Sequence, residues 1–154
     1  MGTKINDFRR VDLDRDLTRK LGQEFEVDLY RAHLDHDPDN VDLIVELGDL
    51  YSRMGRVEDG LSIDKKLVKI YPTEPVFQYN LACSHSLLGQ VDLAFRSLRK
   101  AIKLGYRNLE YLETDEDLRA VHEDERFARL VKTMIKAIEQ DSEKSTTREL
   151  HEEL

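Results

Sequence analysis

Residues 41–74, VDLIVELGDLYSRMGRVEDGLSIDKKLVKIYPTE, return as residues 75–106, PVFQYNLACSHSLLGQVDLAFRSLRKAIKLGY. Gly55 and Gly89 stand 34 residues apart, and so do Pro38 and Pro72. Small and apolar positions follow the same period: Gly48 answers Ala82, Leu47 answers Leu81, Leu67 answers Ala101, and Val68 answers Ile102. A fixed period of this size marks a repeat architecture, in which one unit cannot bury its apolar face alone and stacks on its neighbour. Such a stack offers a surface for holding another molecule rather than a pocket for chemistry.

Each unit reads as two helices. From Asn40 to Met54, the residues Ile44, Leu47, Leu50, Tyr51 and Met54 recur at three and four spacing, with Asp39-Asn40 as the opening signal and Gly55 as the stop. A second helix over about Val57 to Tyr71 carries Leu61, Leu67, Val68 and Ile70, and Pro72 ends it. The pair then recurs as Pro75 to Leu88, stopped by Gly89, and Val91 to Leu104, stopped by Gly105.

A 34-residue helix pair with Leu-Gly, Tyr three later and Pro at the close resembles the tetratricopeptide repeat. In the first full unit Leu47-Gly48, Tyr51, Leu67 and Pro72 carry the resemblance; Gly60 and Asp64 depart from it, at places usually Ala and apolar. In the second, Leu81-Ala82, Ala94, Leu98 and Ala101 fit, while Gln78, His85 and Tyr106 replace the usual Trp, Tyr and Pro. The predicted organisation is one helical domain over 1–138: a degenerate repeat at 11–38, with a first helix over Val11 to Leu21 and a second carrying Phe25, Val27, Leu29, Tyr30 and Leu34, repeats at 41–74 and 75–106, and capping helices at 107–138. The cap, GYRNLEYLETDEDLRAVHEDERFARLVKTM, resembles a closing segment found after such repeats in bacterial proteins. Thr114 or Asp115 is placed to cap one short helix there and Asp124 another. Residues 139–154 form a polar tail. The resemblance implies an all-α, short right-handed solenoid (an α-α superhelix) with a helical C-terminal cap.

The composition agrees. A chain of 154 residues is one ordinary domain, able to bury roughly 70% of its unfolded surface. Charged residues make up 36%, and only three Pro and seven Gly leave little room for turns. No apolar run is long enough to span a membrane, and the N-terminus, without an apolar stretch and with Asp7, Asp12, Asp14 and Asp16, is unlike a signal or transit peptide. The single cysteine, Cys83, forms no internal staple and suits a reducing compartment, so the cytoplasm is the expected location. A net charge of −8 works against nucleic acid. The one basic block, with Arg96, Arg99, Lys100 and Lys103, reads as a solvated helix face.

Signals for chemistry are weak. His33 and His36 share a helix face, but no further ligands accompany them, and His33 holds the repeat position of Leu67, which predicts packing. His85 stands at a core position, and Cys83 has no base or nucleophile motif near it. His122 and His151 have only acidic neighbours. The acidic stretch Glu113 to Asp117 lacks the Gly and spaced ligands of a calcium loop and reads as helix capping. No cofactor, metal or catalytic residue is expected, and the chain reads as a non-enzyme.

The informative surface is the far side of each first helix. Asp42, Val45, Asp49 and Ser52 point away from the hairpin contact, and one repeat on the same face holds Val76, Tyr79, Cys83 and Ser86, with Asn80 and Leu87 alongside. In tetratricopeptide proteins these positions line the concave groove, so the resemblance implies that these ten residues hold a partner. Tyr79, the one aromatic among them, is the expected anchor. Asn80 matches one position of the clamp with which some members grip a peptide C-terminus, but Val45 and Asp49 replace its Lys and Asn. Asp42 and Asp49 favour a basic or neutral protein segment over a carboxylate. The expected role is a protein-binding adaptor or scaffold; the alternatives are a self-associating homo-oligomer and a groove covered by the chain's own termini.

Overall fold

Three glycines in left-handed conformation set the turns. Gly55 and Gly89 both lie at φ +68° and Gly105 at +110°, a region that a Cβ makes costly. The Gly55 and Arg56 N–H groups donate to the carbonyls of Ser52 and Tyr51, both at 2.9 Å. One repeat later Gly89 and Gln90 donate to Ser86 and His85, at 2.9 and 2.8 Å. Gly105 and Tyr106 do the same to Ile102 and Ala101, at 3.1 and 2.9 Å. Each is a Schellman closure, which satisfies the last helical carbonyls while turning the chain back.

The computed structural model describes residues 15–152, with side chains as far as residue 144. The elements run α1 (Arg15–His36), α2 (Val41–Arg53), α3 (Val57–Ile70), α4 (Pro75–Leu87), α5 (Val91–Leu104) and α6 (Leu109–Thr114). A 3₁₀ turn (Glu116–Leu118), α7 (Arg119–His122) and α8 (Phe127–Glu152) follow. Among the described residues there is no strand. Helices α2–α3 and α4–α5 are hairpins, stacked through α3 on α4. The all-α solenoid expected from the sequence is the fold observed.

Helices α2 and α3 come close together at Gly48. A Cβ built there would stand 3.0 Å from Cγ2 of Ile63 on α3, whereas Ala82, its counterpart on α4, is fully buried. Asn40 opens α2, its side-chain oxygen accepting the Leu43 N–H at 3.1 Å. Pro75 sits in the first turn of α4, where its missing N–H costs nothing.

Helix α4 is the axis of the molecule. It touches α3 and α5, and also the 3₁₀ turn and α7, so Gln78, Tyr79 and every residue from 81 to 86 are buried. Only a narrow strip of α4, with Val76, Asn80 and Leu87, is left exposed. The main core gathers around it, with Phe95, Leu98 and Ile102 of α5 meeting Leu118, Leu130 and Met134 of the closing segment. Arg126 anchors that segment, its guanidinium 4.5 Å from the Phe95 ring and paired with Asp92 at 2.6 Å and Asp124 at 2.8 Å. Arg107 donates to the Ile102 carbonyl at the end of α5 and to Asp141 of α8, at 2.6 and 2.8 Å.

Two features differ from the organisation read from the sequence. No turn interrupts α1 near residue 22; it is a single 22-residue helix, because Gly22, unlike the three turn glycines, stays at negative φ. At the other end α8 runs without a break through residue 138, so no boundary separates cap from tail there. Residues 11–14 of the predicted first repeat lie outside the described residues.

Replacing Gly48 by leucine forces a branched side chain into the Ile63 contact. Overpacking of this kind costs about 1–3 kcal/mol. The expected outcome in chemical denaturation is a lowered midpoint with an unchanged slope; an unaltered midpoint would mean that α2 and α3 do not meet at this glycine.

Candidate functional site

Between α2, α3, α4 and the closing segment lies a cleft of about 260 Å³. Helix α2 contributes Val45, Asp49 and Ser52, α4 contributes Asn80, Cys83 and Leu87, and α3 supplies Ile63 and Asp64. Tyr111, Asp115 and Asp117 close it from the cap side. Seven of the ten residues singled out in the sequence therefore meet at one place: Val45, Asp49, Ser52, Tyr79, Asn80, Cys83 and Leu87. Asp42 and Val76 are exposed but lie outside the lining. Ser86 is buried, because it continues the face of α4 on which the 3₁₀ turn and α7 pack.

Tyr79 forms the floor of this cleft rather than its rim. The ring is only 2% exposed, stacked on Tyr106 with centroids 4.4 Å apart and tilted against Tyr111 at 5.8 Å. Its hydroxyl donates to the Asp115 carboxylate at 2.8 Å. The Cys83 thiol points at the same carboxylate oxygen, at 3.5 Å, and the other oxygen caps the 3₁₀ turn by accepting the Asp117 N–H at 3.0 Å. Asp115 thus performs the capping role the sequence suggested for it, while also reaching into the cleft.

Electrostatics in the cleft are one-sided. Burial pushes the Asp64 carboxyl up to about 6; Asp49 adds to this by repulsion and the Ser84 hydrogen bond works against it. Burial, then the Asp115 charge, raises Asp117. Tyr106 is pushed up to about 12, chiefly by burial, and burial holds the Cys83 thiol far above its ordinary range, with Asp115 adding to the effect. A thiol held protonated beside a carboxylate is a poor nucleophile. The cation of the region, Arg56, is already engaged by Asp59 at 2.6 Å and Glu24 at 3.1 Å, and its guanidinium lies 4.8 Å from the Tyr51 ring.

The histidines among the described side chains are accounted for by packing and exposure. His85 is buried and donates through Nδ1 to the Gln90 side chain at 2.7 Å. His122 donates to the Leu112 carbonyl at 2.8 Å, tying α7 to α6. His33, expected to pack, is exposed, because α1 turns Val27, Tyr30 and Leu34 toward α2 instead. Among the described residues no group of three or more His, Cys, Asp or Glu is placed to hold a metal ion, and no helix is long and apolar enough to cross a membrane. Sequence reasoning missed Asp64, which lines the cleft, and Tyr106, which stacks on Tyr79 beneath it, and also the lining residues Tyr111, Asp115 and Asp117. The first two had nevertheless stood out as departures from the repeat pattern.

No protein-family model matches the chain. A chloroplastic protein from Arabidopsis thaliana is 31% identical over 85 residues, covering 53% of this chain and 25% of that protein. Human tetratricopeptide repeat protein 21A is 36% identical over 90 residues, covering 55% of this chain and 7% of that protein. The chain therefore spans at most a quarter of these relatives' length. Among solved structures, "MamA MSR-1 C2" superposes with a TM-score of 0.57 at 16% identity, over 80% of this chain and 72% of that one. A crystal structure of MamA gives 0.54 at 19% identity, over 88% and 99%. The fold is that of a tetratricopeptide-like helical solenoid, and the repeat resemblance read from the sequence stands.

Asp64 yields a pH prediction. Its carboxyl titrates near 6 in the folded chain against 3.8 for the free side chain, so the native state holds the proton more tightly. Between about pH 4 and pH 6 the stability this group contributes must fall as pH rises. Asp64→Asn keeps an acceptor for Ser84 and removes the charge. At pH 7 it is expected to be more stable than the parent by on the order of 2 kcal/mol, with the gap closing toward pH 4. Urea denaturation at stepped pH checks this; a gap independent of pH would show that Asp64 is not buried as a charge. Tyr79→Ala is expected to cost about 3–5 kcal/mol, which a thermal melt will register as loss of the folded domain rather than of a surface anchor.

Proposed function

We propose that this chain is a non-enzymatic protein-interaction module, an adaptor that holds a basic or neutral segment of a partner protein in the cleft between α2 and α4. The observation that supports this best is the make-up of the rim. Leu87 and Tyr111 stand 47% and 53% exposed on a concave surface that also carries Asp49, Asp64 and Asp117. Tyrosine is among the usual anchors of an interface, with Leu87 adding apolar surface beside it, and the neighbouring carboxylates favour a cationic side chain and reject a carboxylate. At about 260 Å³ the recess falls below the roughly 300–1,000 Å³ of small-molecule sites and has room for one or two side chains of a segment lying across it.

Within this reading the anchor is Tyr111 with Leu87, and Tyr79 supports them from beneath. Asp42 lies on the path of an extended segment leaving the cleft along α2. Asn80, exposed at the rim, offers a hydrogen bond to the segment's backbone. The buried thiol of Cys83 suits a reducing compartment, and the cytoplasm is the proposed location.

Capture from lysate of the native host, identified by mass spectrometry, followed by binding to arrayed segments of the captured protein, tests the reading. Tyr111→Ala is expected to weaken binding of the segment by about 2 kcal/mol while leaving the helical circular-dichroism signal unchanged. Asp49→Lys is expected to slow association and flatten its salt dependence. Selection of acidic segments, or equal binding by Tyr111→Ala, would refute it.

A further inference from the structure

Helix α1 is amphipathic twice over. One face, with Val27, Tyr30 and Leu34, packs on α2. On the opposite side, at 100° per residue, Leu17, Leu21, Phe25 and Leu29 form a second stripe at a strict spacing of four. These side chains are 51%, 59%, 69% and 44% exposed. Scattered exposed leucines are ordinary, but an aligned run of four large apolar side chains marks an interaction site.

We propose that this stripe binds the same stripe of a second copy of the chain, with the two α1 helices antiparallel about a twofold axis near residue 23. Three observations select that occupant. The stripe is symmetric about its own midpoint, so that Leu17 faces Leu29, and Leu21 faces Phe25, when a copy is turned end over end. A twofold contact requires this self-matching of a single patch.

The charges along α1 divide at the same point. Residues 15–22 carry a net charge of +2 and residues 23–30 a net charge of −3. Antiparallel pairing sets Lys20 against Glu24 and Asp28 on the same flank of the second copy's stripe; parallel pairing sets like charges together. Arg31, the cation that departs from this division, lies 5.8 Å from the ring of Tyr51 in its own chain. The third observation is Gly22, beside the midpoint. Glycine inside a helix is unfavourable, and among the described residues nothing stands within 4 Å of the place its Cβ would occupy. No intrachain contact demands the small residue, whereas a second helix crossing at the midpoint gains a close approach from it. Ridges at four-residue spacing interdigitate in the commonest class of helix crossing.

The experiment measures solution mass by light scattering and sedimentation over a range of concentrations. The parent chain is expected to show twice the chain mass, falling to one on dilution. Leu21→Glu/Phe25→Glu is expected to show one chain mass throughout, with its circular-dichroism spectrum and melt retained because both side chains are exposed. Lys20→Glu is expected to weaken the dimer at least tenfold, and adding Asp28→Lys to restore it; a parallel pairing gives no such rescue. A parent chain that stays monomeric at every concentration overturns the proposal, as does a dimer that survives Leu21→Glu/Phe25→Glu. A monomeric parent destabilised by the same pair of substitutions overturns it too, by showing that the stripe is covered by the chain itself.

Discussion

The carboxylate of Asp115 is the tie on which the shape of the concave side depends. It accepts from the Tyr79 hydroxyl, faces the Cys83 thiol and caps the 3₁₀ turn, so one residue fixes the closing segment to the central helix. Buried hydroxyls without a partner are costly, and here the partner comes from 36 residues downstream. The stack of Tyr79 on Tyr106 adds an apolar joint beside the polar one. Without this tie the inner face of α4 would be wet, as the first helix of a repeat is expected to be. With it, Tyr79 and Cys83 become core, and Asn80 and Leu87 are what α4 leaves open to the cleft.

This division explains the character of what remains open. The cap brings Tyr111, Asp115 and Asp117 to a cleft whose other wall already holds Asp49 and Asp64. Crowded carboxylates in a partly buried recess raise one another's proton affinity, and Asp64 shows it most, burial being the larger cause. Such a recess is poorly suited to anions and, with Cys83 held protonated, poorly suited to nucleophilic chemistry. A cation entering it relieves repulsion that the folded chain otherwise retains.

The fold was legible because the determinants of a hairpin are local. Gly55, Gly89 and Gly105 impose turns through φ alone, and the apolar period places Ile44, Leu47, Phe95 and Leu98 inward whatever else happens. Seven of the groove residues were legible for a related reason, since helix geometry fixes which side of α2 and α4 they occupy. What could not be read was how the closing segment returns. Asp115 looked like a helix cap and is one, but its second role depends on a long-range approach that no spacing encodes. Tyr79 was visible as an aromatic on a face that ought to be wet; that oddity was a sign of burial beneath Tyr106 and Tyr111. The continuity of α1 escaped for the opposite reason: Gly22 resembles a turn glycine in composition, and only its backbone angle distinguishes it.

A short solenoid must close two ends, and this one closes them unequally. At the C-terminal end Phe127, Leu130 and Met134 cover α5, with Arg126 and Arg107 pinning the cover through carboxylates, a carbonyl and the Phe95 ring. The outward positions of α8, such as Lys132, Thr133 and Lys136, are exposed and polar, as a terminal unit requires. At the N-terminal end of the described stack, α1 shows a polar outer face only in part, because four large apolar side chains interrupt it. In a stacked architecture an apolar end face is where the next element adds. Among the described residues, then, the two end helices differ in character: α8 turns polar side chains such as Lys132 and Lys136 outward, whereas α1 carries an exposed apolar stripe.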